Sequence, residues 1–220
     1  MFDQIKIGLK SSQDDFFASV ASRSNTPPKK KSIKETVPFS NITHDFSGIN
    51  GEIYWEEREL EYTFEIIACS PEELEARKTA FSSWVMNVSN EDIFDPFISD
   101  YHFKGTFDSI EYDDEESMDK STITVVFKAY PYMISNEPRK YTFATGANTF
   151  AKINNKSSHK ITPTLIASVP VAIKKGNTIF SISAGETTDD SFEFEVGDNE
   201  FEIQAGASGT LEISFYEEVF

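Results

Sequence analysis

The stretch STITVVFKAYPYMIS, residues Ser121 to Ser135, combines a β-strand with an unusual strand end. Nine residues alternate between apolar and polar side chains, as a half-buried strand requires. The chain then meets Tyr130, Pro131 and Tyr132 where a turn of Gly, Asn or Asp is usual. Proline has no N–H to pair and ends the strand, while the two tyrosines can pack against neighbouring residues. Such an end is compatible with a catalytic loop or with a joint between two building blocks.

The bulk composition favours a sheet-rich protein and excludes some partners. The 220 residues allow one large domain or two small ones, and the 20 phenylalanines favour pleated, half-buried surfaces. The net charge is −17 and the pI is about 4.5. Because nucleic acids and anionic membranes attract clustered Lys and Arg, this charge argues against specific binding to either.

The sequence predicts a protein without disulfides and without a membrane span. Cys69 is the single cysteine, and its place in an apolar strand predicts a buried, unreactive thiol. The start MFDQIKIGLK lacks a basic region followed by an apolar one, so we expect no secretory signal. No run of eighteen apolar residues occurs. We therefore expect synthesis and folding in a cytoplasm.

A long polar passage follows a short predicted strand at residues 2–10. We expect residues 11–50 to form an irregular arm, because Pro27, Pro28 and Pro38 and the Lys29–Lys31 run disfavour helix. So long a segment without local structure is unusual in a compact lone domain. The arm is therefore either disordered or laid along a partner.

Regular structure resumes with a strand and a capped helix. In ELEYTFEIIA the apolar side chains alternate with polar ones, which predicts a strand with one buried face formed by Leu60, Tyr62, Phe64, Ile66 and Ala68. Ser70 suits the N-cap, Pro71 suits the first helical position and Glu73 completes a capping box. A helix is predicted at about residues 71–88, with Trp84 at the margin of its apolar stripe.

Two more strands, YHFKGTFDSIEY and STITVVFKAY, flank an acidic turn. The parity of the apolar residues changes between Phe107 and Ile110, which predicts a β-bulge near Asp108. The cluster at residues 113–116 lacks the spaced ligands and the central Gly of a calcium loop. We interpret it as a solvated hairpin end.

The C-terminal third has short alternating segments separated by a turn signal about every ten residues. TPTLIASVPVAI, NTIFSIS, SFEFEV, EFEIQA and TLEISFYEEVF are predicted strands, and GASG at residues 206–209 is predicted to be a hairpin turn. This pattern is typical of a β-sandwich or a jelly roll. The predicted fold class is mainly β: an α+β N-terminal domain at residues 1–140, a sheet or sandwich with one packed helix, and a β-sandwich domain at residues 141–220.

No catalytic, metal-binding or cofactor-binding pattern is present. The three histidines, His44, His102 and His159, are isolated, and no nucleophile elbow, phosphate loop or dinucleotide fingerprint occurs. We predict a protein that is not an enzyme, with no catalytic residue, no metal and no cofactor. The alternative is a carbohydrate-binding, lectin-like β-sandwich, for which Trp55 and the tyrosines are the candidate contacts.

The order of these segments resembles the distal tail protein (Dit) family of long-tailed siphophages and prophages. The motifs are Arg23-Ser24 followed by Pro27-Pro28-Lys29, Val37-Pro38 ahead of an Asp-Phe pair, the alternating aromatic strand, the helix that begins with SPEE, and the closing FKAYPY. The C-terminal part is similar to the galectin-like sandwich of that family, with VGDNEFEIQAGASGTLEISF as its most similar segment. The resemblance covers essentially the whole chain.

The resemblance implies a structural hub at the virion tail tip. Six copies would form a ring through their N-terminal domains, between the major tail tube protein and a tail-associated hub protein (Tal-like). The C-terminal sandwiches would face outward and hold receptor-binding proteins, and DNA would leave through the channel without specific binding. The implied subunit interface includes Phe16, Phe17, Arg23, Pro27, Pro28, Val37 and Pro38, and the implied interdomain hinge is Tyr130, Pro131 and Tyr132.

Overall fold

Antiparallel strands dominate the chain, which confirms the predicted mainly β fold class. The structure is a computed structural model that describes residues 3–36, 39, 41, 43–48, 53–114 and 119–220. The chain divides into two compact units. The first unit is Met1–Met133 together with Phe220, and the second unit is Ile134–Val219.

In the described residues, the first unit contains a main antiparallel sheet, a separate two-stranded ladder and two α-helices. The elements in chain order are β1 (Lys6–Ile7), β2 (Lys10–Ser11), α1 (Ser12–Phe16), β3 (Ala18–Asn25), β4 (Lys34–Thr36), β5 (Thr43–Asp45), β6 (Arg58–Ile67), α2 (Pro71–Met86), β7 (Glu91–Phe94), a 3-10 turn (Pro96–Ile98), β8 (Tyr101–Asp114) and β9 (Lys120–Ala129). The main sheet has the strand order β2-β1-β7-β8-β9-β6-β3, and β4 pairs with β5 in the separate ladder.

Strand β6 lies between β9 and β3 and carries the predicted buried face. It pairs with β9 along its whole length, from Arg58 opposite Ala129 to Ile67 opposite Lys120. The expected apolar side chains are buried: Leu60, Tyr62, Phe64, Ile66 and Ala68. The predicted bulge is also confirmed, because the β8–β9 register shifts between Phe107 and Ser109. Period-two alternation therefore indicates the correct core face for the central strands.

Helix α2 begins with the predicted cap and packs against the sheet. The Ser70 hydroxyl accepts a hydrogen bond from the Glu73 N–H at 3.2 Å, and the Glu73 carboxylate accepts one from the Cys69 N–H at 2.9 Å. Phe81 is fully buried, with its ring centroid 4.8 Å from that of Phe64. Trp84 is half-buried and packs against this core.

The expectation that Cys69 is buried is wrong. Strand β6 ends at Ile67, and Cys69 lies in the connection to α2, where its side chain is exposed. The reason is the helix cap: Ser70 must be the last non-helical residue, so the chain leaves the sheet just before it.

The prediction of an irregular passage from residue 11 onward is also wrong at its N-terminal end. Residues 12–16 form α1, and residues 18–25 form β3, which pairs with β6 with a register shift between Val20 and Ser22. Strand β3 contributes only Ala18 and Val20 to the core. Its Ser-rich remainder has no strong strand propensity, and the backbone of β6 supplies its pairing.

The two ends of the sheet approach each other and are joined by an ion pair. The Val20 N–H on β3 donates to the Asp3 carbonyl at 2.8 Å. Arg23, also on β3, reaches Asp95 after β7, with 3.0 Å between Nε and Oδ2. Burial, reinforced by the nearby Asp95 carboxylate, raises the pKa of Tyr62 far above its ordinary value. This cluster thus fastens β3 to the opposite end of the sheet.

The strands after β9 are β10 (Met133–Ser135), which starts at the end of the first unit, β11 (Arg139–Thr145), β12 (Thr149–Asn155), β13 (Thr164–Ala167), β14 (Val171–Lys175), β15 (Thr178–Ile182), β16 (Gly185–Thr188), β17 (Gly197–Ala205), β18 (Gly209–Phe215) and β19 (Glu218–Val219). Strands β11 to β18 form the β-sandwich of the second unit, with two four-stranded antiparallel sheets ordered β11-β18-β13-β16 and β12-β17-β14-β15. Both sheets contribute to one core, which includes Leu165, Ile173, Ile203 and Ile213.

Three strand predictions in this unit are wrong. The segment TPTLIASVPVAI splits into β13 and β14, which lie in opposite sheets, and GASG joins β17 to β18 across the sandwich instead of closing a hairpin. SFEFEV is not a strand. Phe192 and Phe194 are buried in the core, but Phe194 makes only an isolated bridge with Ile161. The alternation of apolar and polar residues in SFEFEV arises because a loop buries two of its aromatic rings in the core. Such burial does not require the backbone to be part of a sheet.

A buried asparagine holds the turn before β17. The Asn199 amide donates to the carbonyls of Glu195 at 2.7 Å and Gly197 at 3.0 Å, and its oxygen accepts from the Glu195 N–H at 2.9 Å. Lys175 donates to the same oxygen at 2.9 Å. Gly197 has φ of 90°, which a residue with a side chain rarely adopts. The Gly-x-Asn motif is therefore a structural turn.

We predict that Arg23→Met lowers the free energy of unfolding of the first unit by about 3 kcal/mol, because it leaves the buried Asp95 carboxylate unpaired. The matched control is Lys120→Met, which removes the more exposed ion pair to Glu65 and should cost at most about 1 kcal/mol. Urea unfolding followed by tryptophan fluorescence measures both. Equal losses in the two variants would contradict a fastening role for Arg23.

Candidate assembly surface

Residues 26–57, here called the arm, continue the pairing of β3 with β6 beyond the sheet. The Thr26 N–H donates to the Glu59 carbonyl at 3.1 Å, where the arm leaves the sheet. Farther along, the Glu56 N–H donates to the Lys29 carbonyl and the Lys31 N–H to the Tyr54 carbonyl, each at 2.8 Å. The base of the arm is therefore a two-stranded extension of the β3–β6 pair, and not an irregular loop.

The outer part of the arm is a second short ladder, in which β4 pairs with β5. The Phe46 N–H donates to the Ile33 carbonyl at 2.9 Å, and the Ile33 N–H donates to the Ser47 hydroxyl at the same distance. Hydrogen bonds from Ser47 hold the pKa of Asp45 below its ordinary value. Both ladders lie within the arm, so its described parts are held by the arm's own backbone hydrogen bonds.

The arm exposes large apolar side chains. Phe39 is fully exposed with φ of 64°, and the other exposed ones are Ile33, Phe46, Ile53 and Tyr54. In a soluble protein single exposed apolar residues are normal, but several on one short element indicate an interaction site. None of these five residues was among the predicted interface residues. The sequence did contain a signal, because apolar residues recur within this polar passage. Their spacing follows neither a helix nor a strand, since two ladders of different length contribute to the arm.

The predicted interface residues have different places in the structure. Phe16 is buried and its ring stacks on Trp84 at 4.6 Å, so it supports the core of its own unit. Phe17 follows in the left-handed region at φ of 58° and is half exposed, with Arg77 lying 4.2 Å above its ring. Arg23 is committed to Asp95.

The remaining predicted interface residues belong to the arm. Pro27 is exposed at its base, while the neighbouring Pro28 is buried. Val37 and Pro38 lie outside the described residues. The structure thus brings Pro27 together with the arm and separates it from Phe16, which lies in the core.

The predicted hinge residues belong to the first unit, just before its boundary at Met133. The Tyr130 N–H donates to the Lys104 carbonyl at 2.8 Å, and the Tyr130 and Tyr132 ring centroids are 5.5 Å apart. Pro131 ends the pairing of β9, and Tyr132 is buried against Phe220 at 4.9 Å. A hinge role for these three residues stays a prediction.

A groove of about 790 Å³ beside α2 is lined by polar groups that bond one another. The Tyr112 hydroxyl donates to the Ser82 hydroxyl at 2.7 Å, and Ser82 in turn donates to the Lys78 carbonyl at 2.6 Å.

No set of three His, Cys, Asp or Glu side chains in the described residues is placed to hold a metal ion. Neither helix in that part of the chain has the length and apolar character needed to cross a membrane.

Trp55, the named candidate for sugar stacking, is half-buried at the base of the arm. Its ring packs edge-to-face on Phe220 at 4.7 Å. A ring that binds sugar needs an open face, so this packing favours a structural role for Trp55.

Comparison with known proteins supports the fold. No protein-family model matches the sequence, and no curated protein is significantly similar to it. Among solved structures, the Dit protein of SPP1, described as a paradigm of the hub adsorption apparatus in phages that infect Gram-positive bacteria, matches with a TM-score of 0.70 and 12% identity, over 99% of each chain. The phage P2 baseplate in its activated conformation matches 97% of this chain and 98% of that chain, at 10% identity and with a lower TM-score of 0.42. The resemblance to distal tail proteins is thus confirmed for the fold.

We predict that the arm is dispensable for folding. In the variant, Asn-Gly replaces residues 31–54 and joins Lys30 to Trp55, which already face each other across an antiparallel bridge. The variant should lose about 1 kcal/mol or less of unfolding free energy, because the large apolar side chains that the structure describes in the removed segment are exposed. Circular dichroism and urea unfolding measure this. Loss of the cooperative transition would show that the arm belongs to the core.

Proposed function

We propose that this chain is a distal tail protein, a structural component of the tail tip of a long-tailed phage or prophage-derived particle. Six copies form a ring that links the tail tube to the tail-associated hub and receptor-binding apparatus, and DNA leaves through the channel. The protein acts by assembly and has no catalytic role.

The observation that carries this proposal is the likeness to the SPP1 hub protein over 99% of both chains. A match limited to the sandwich would fit many unrelated functions, since sandwiches host sugar binding, adhesion and catalysis alike. A match that covers both units and their connecting segment is more specific, because unrelated functions rarely share the same two folds in the same order along the chain.

The arm is a suitable element for building a ring. A closed ring of identical subunits uses a heterologous interface, in which each copy offers one face and receives a different one. The arm offers exposed apolar side chains together with Lys29, Lys30, Lys31 and Lys34, on a chain whose net charge is −17. The basic charge is confined to the first part of the arm, since residues 26–40 contain these four lysines and one glutamate. This part of the arm complements an acidic neighbour, which favours a defined orientation of the contact.

The acidic character also suits a conduit for DNA. Exit of DNA requires that the channel wall does not hold the polyanion, and a negative wall repels it. We propose that carboxylates of the first unit line the channel. A basic lumen in an imaged ring would contradict this part of the proposal.

The proposal predicts the mass and shape of the assembled protein. Six chains of 24.8 kDa make a particle of about 149 kDa, which light scattering measures directly and negative-stain imaging should show as a ring. The Asn-Gly arm variant should remain a folded monomer. A wild-type monomer that stays monomeric with its tail proteins and binds glycans at a mapped site would instead favour the lectin alternative.

A pair of point variants tests the arm more finely. Phe39→Ser should weaken assembly about tenfold or more, because burial of a phenylalanine in an interface contributes the equivalent free energy. Leu9→Ser is the matched control, since Leu9 is as exposed as Phe39 but lies in the turn between β1 and β2. Sedimentation velocity over a concentration series measures both variants. Equal effects would place the contact outside the arm.

A further inference from the structure

Arg58 is a buried cation at the point where the arm joins the sheet. It is the first residue of β6, and its side chain lies on the core face, where only 2% of the residue is exposed. Its guanidinium carbon lies 5.4 Å from the centroid of the Phe103 ring. Burial lowers the pKa of Arg58, but an arginine remains protonated in proteins.

Arg58 differs from the other three arginines of the chain. Arg23, Arg77 and Arg139 each make a salt bridge to a carboxylate, on Asp95, Glu73 and Glu217 respectively. In contrast, Nε and Nη1 of Arg58 are buried and donate to no acceptor in the part of the chain that the structure describes. A buried guanidinium without a hydrogen-bonding counter-ion is costly, so the chain is expected to meet one from elsewhere.

Arg58 borders a cavity that can hold a small anion. The cavity has a volume of about 260 Å³ and lies between the two ends of the arm and the end of β9, with walls that include Thr26, Pro27, Lys29, Glu57 and Lys128. A water molecule occupies about 30 Å³ of liquid, so this space exceeds that of a formate or acetate ion.

The other charged groups around the cavity do not accept hydrogen bonds from the buried nitrogens of Arg58. Lys128 pairs with Glu59, and this contact raises the pKa of the lysine. The carboxylates of Glu56 and Glu57 also line the cavity, yet neither accepts a hydrogen bond from the buried guanidinium nitrogens. The lining is therefore mixed in charge, with one unsatisfied donor group at its buried end.

We propose that this cavity is a carboxylate-binding site in which Arg58 supplies the hydrogen bonds. Arginine and carboxylate form two parallel N–H···O bonds, and each edge of the guanidinium includes one of the unpaired nitrogens. These nitrogens lie beneath the surface of the cavity, so binding requires a turn of the Arg58 side chain toward the carboxylate. A singly charged carboxylate suits the site better than a phosphate, because the nearby glutamates repel a second negative charge. Carboxylate binding at this site does not require ring formation.

Two sources of the carboxylate are possible: a free small acid, or an Asp, Glu or chain terminus of a second copy of this chain. Both place the same chemical group on Arg58. A second copy would connect the site to assembly, since the cavity lies at the base of the arm.

Arginine side-chain NMR distinguishes these sources on the wild-type protein. The chain has four arginines, so its ¹⁵N spectrum contains four Nε–H signals, and Arg77→Lys and Arg139→Lys help to assign them. Formate is the probe, added at constant ionic strength up to about 100 mM, because its three heavy atoms limit its Kd to about 1 mM at best. The Arg77 signal is the internal control, since that side chain is already paired.

The expected result is a saturable shift of the Arg58 signal with formate, while the Arg77 signal stays in place. A shift without formate, as the protein concentration is raised from about 20 µM to about 1 mM, would assign the carboxylate to a second copy by mass action. A signal that moves with neither, or moves only with sulfate, would overturn the proposal.

A variant pair checks the site by an independent route. Arg58→Lys keeps the charge but loses the planar fork, and Arg58→Met keeps the length without the charge. Formate should raise the melting temperature of the wild type and leave both variants unchanged. If either variant does not fold, the wild-type titration still decides the proposal.

Discussion

The first unit depends on the pairing of β6 with a strand on each side. Its ten residues pair with β9 over their full length, and β3 covers the other edge. One face of β6 supplies the centre of the core, its last residues lead into the cap of α2, and its first residue borders the arm. Because a shift by one residue would turn every core side chain toward solvent, this register constrains the sheet, the helix and the arm together.

Sequence reasoning succeeded where one residue pattern corresponds to one structural cause. The alternation in β6 and β9 reflects a sheet with a single buried face, and Ser70, Pro71 and Glu73 form a helix start whose hydrogen bonds are local. The bulge near Asp108 was predictable because it changes the parity of the apolar residues. In each case, the information lies within a few neighbouring residues.

Prediction failed where the cause lies elsewhere in the chain. Strand β3 has few apolar residues, and its structure comes from the edge of β6 that it completes. Phe192 and Phe194 alternate like strand residues, yet they belong to a loop whose rings fill the sandwich core. The arm was recognised as unusual, but its hydrogen bonds join residues such as Lys31 and Tyr54, which are far apart in sequence. Pairing between distant residues leaves no local signal.

The arm and Arg58 have features that a monomer optimised for stability would lack. Such a monomer would bury Phe39 and pair every buried charge, because an exposed apolar side chain and an unpaired buried charge both cost free energy. Here the exposed apolar side chains lie on the arm, and the unpaired guanidinium lies at the start of β6, where the arm ends. A partner that covers the arm and supplies a carboxylate would offset both costs in one step. Such a contact would also be selective, since a partner that offers only an apolar surface leaves the buried arginine unsatisfied.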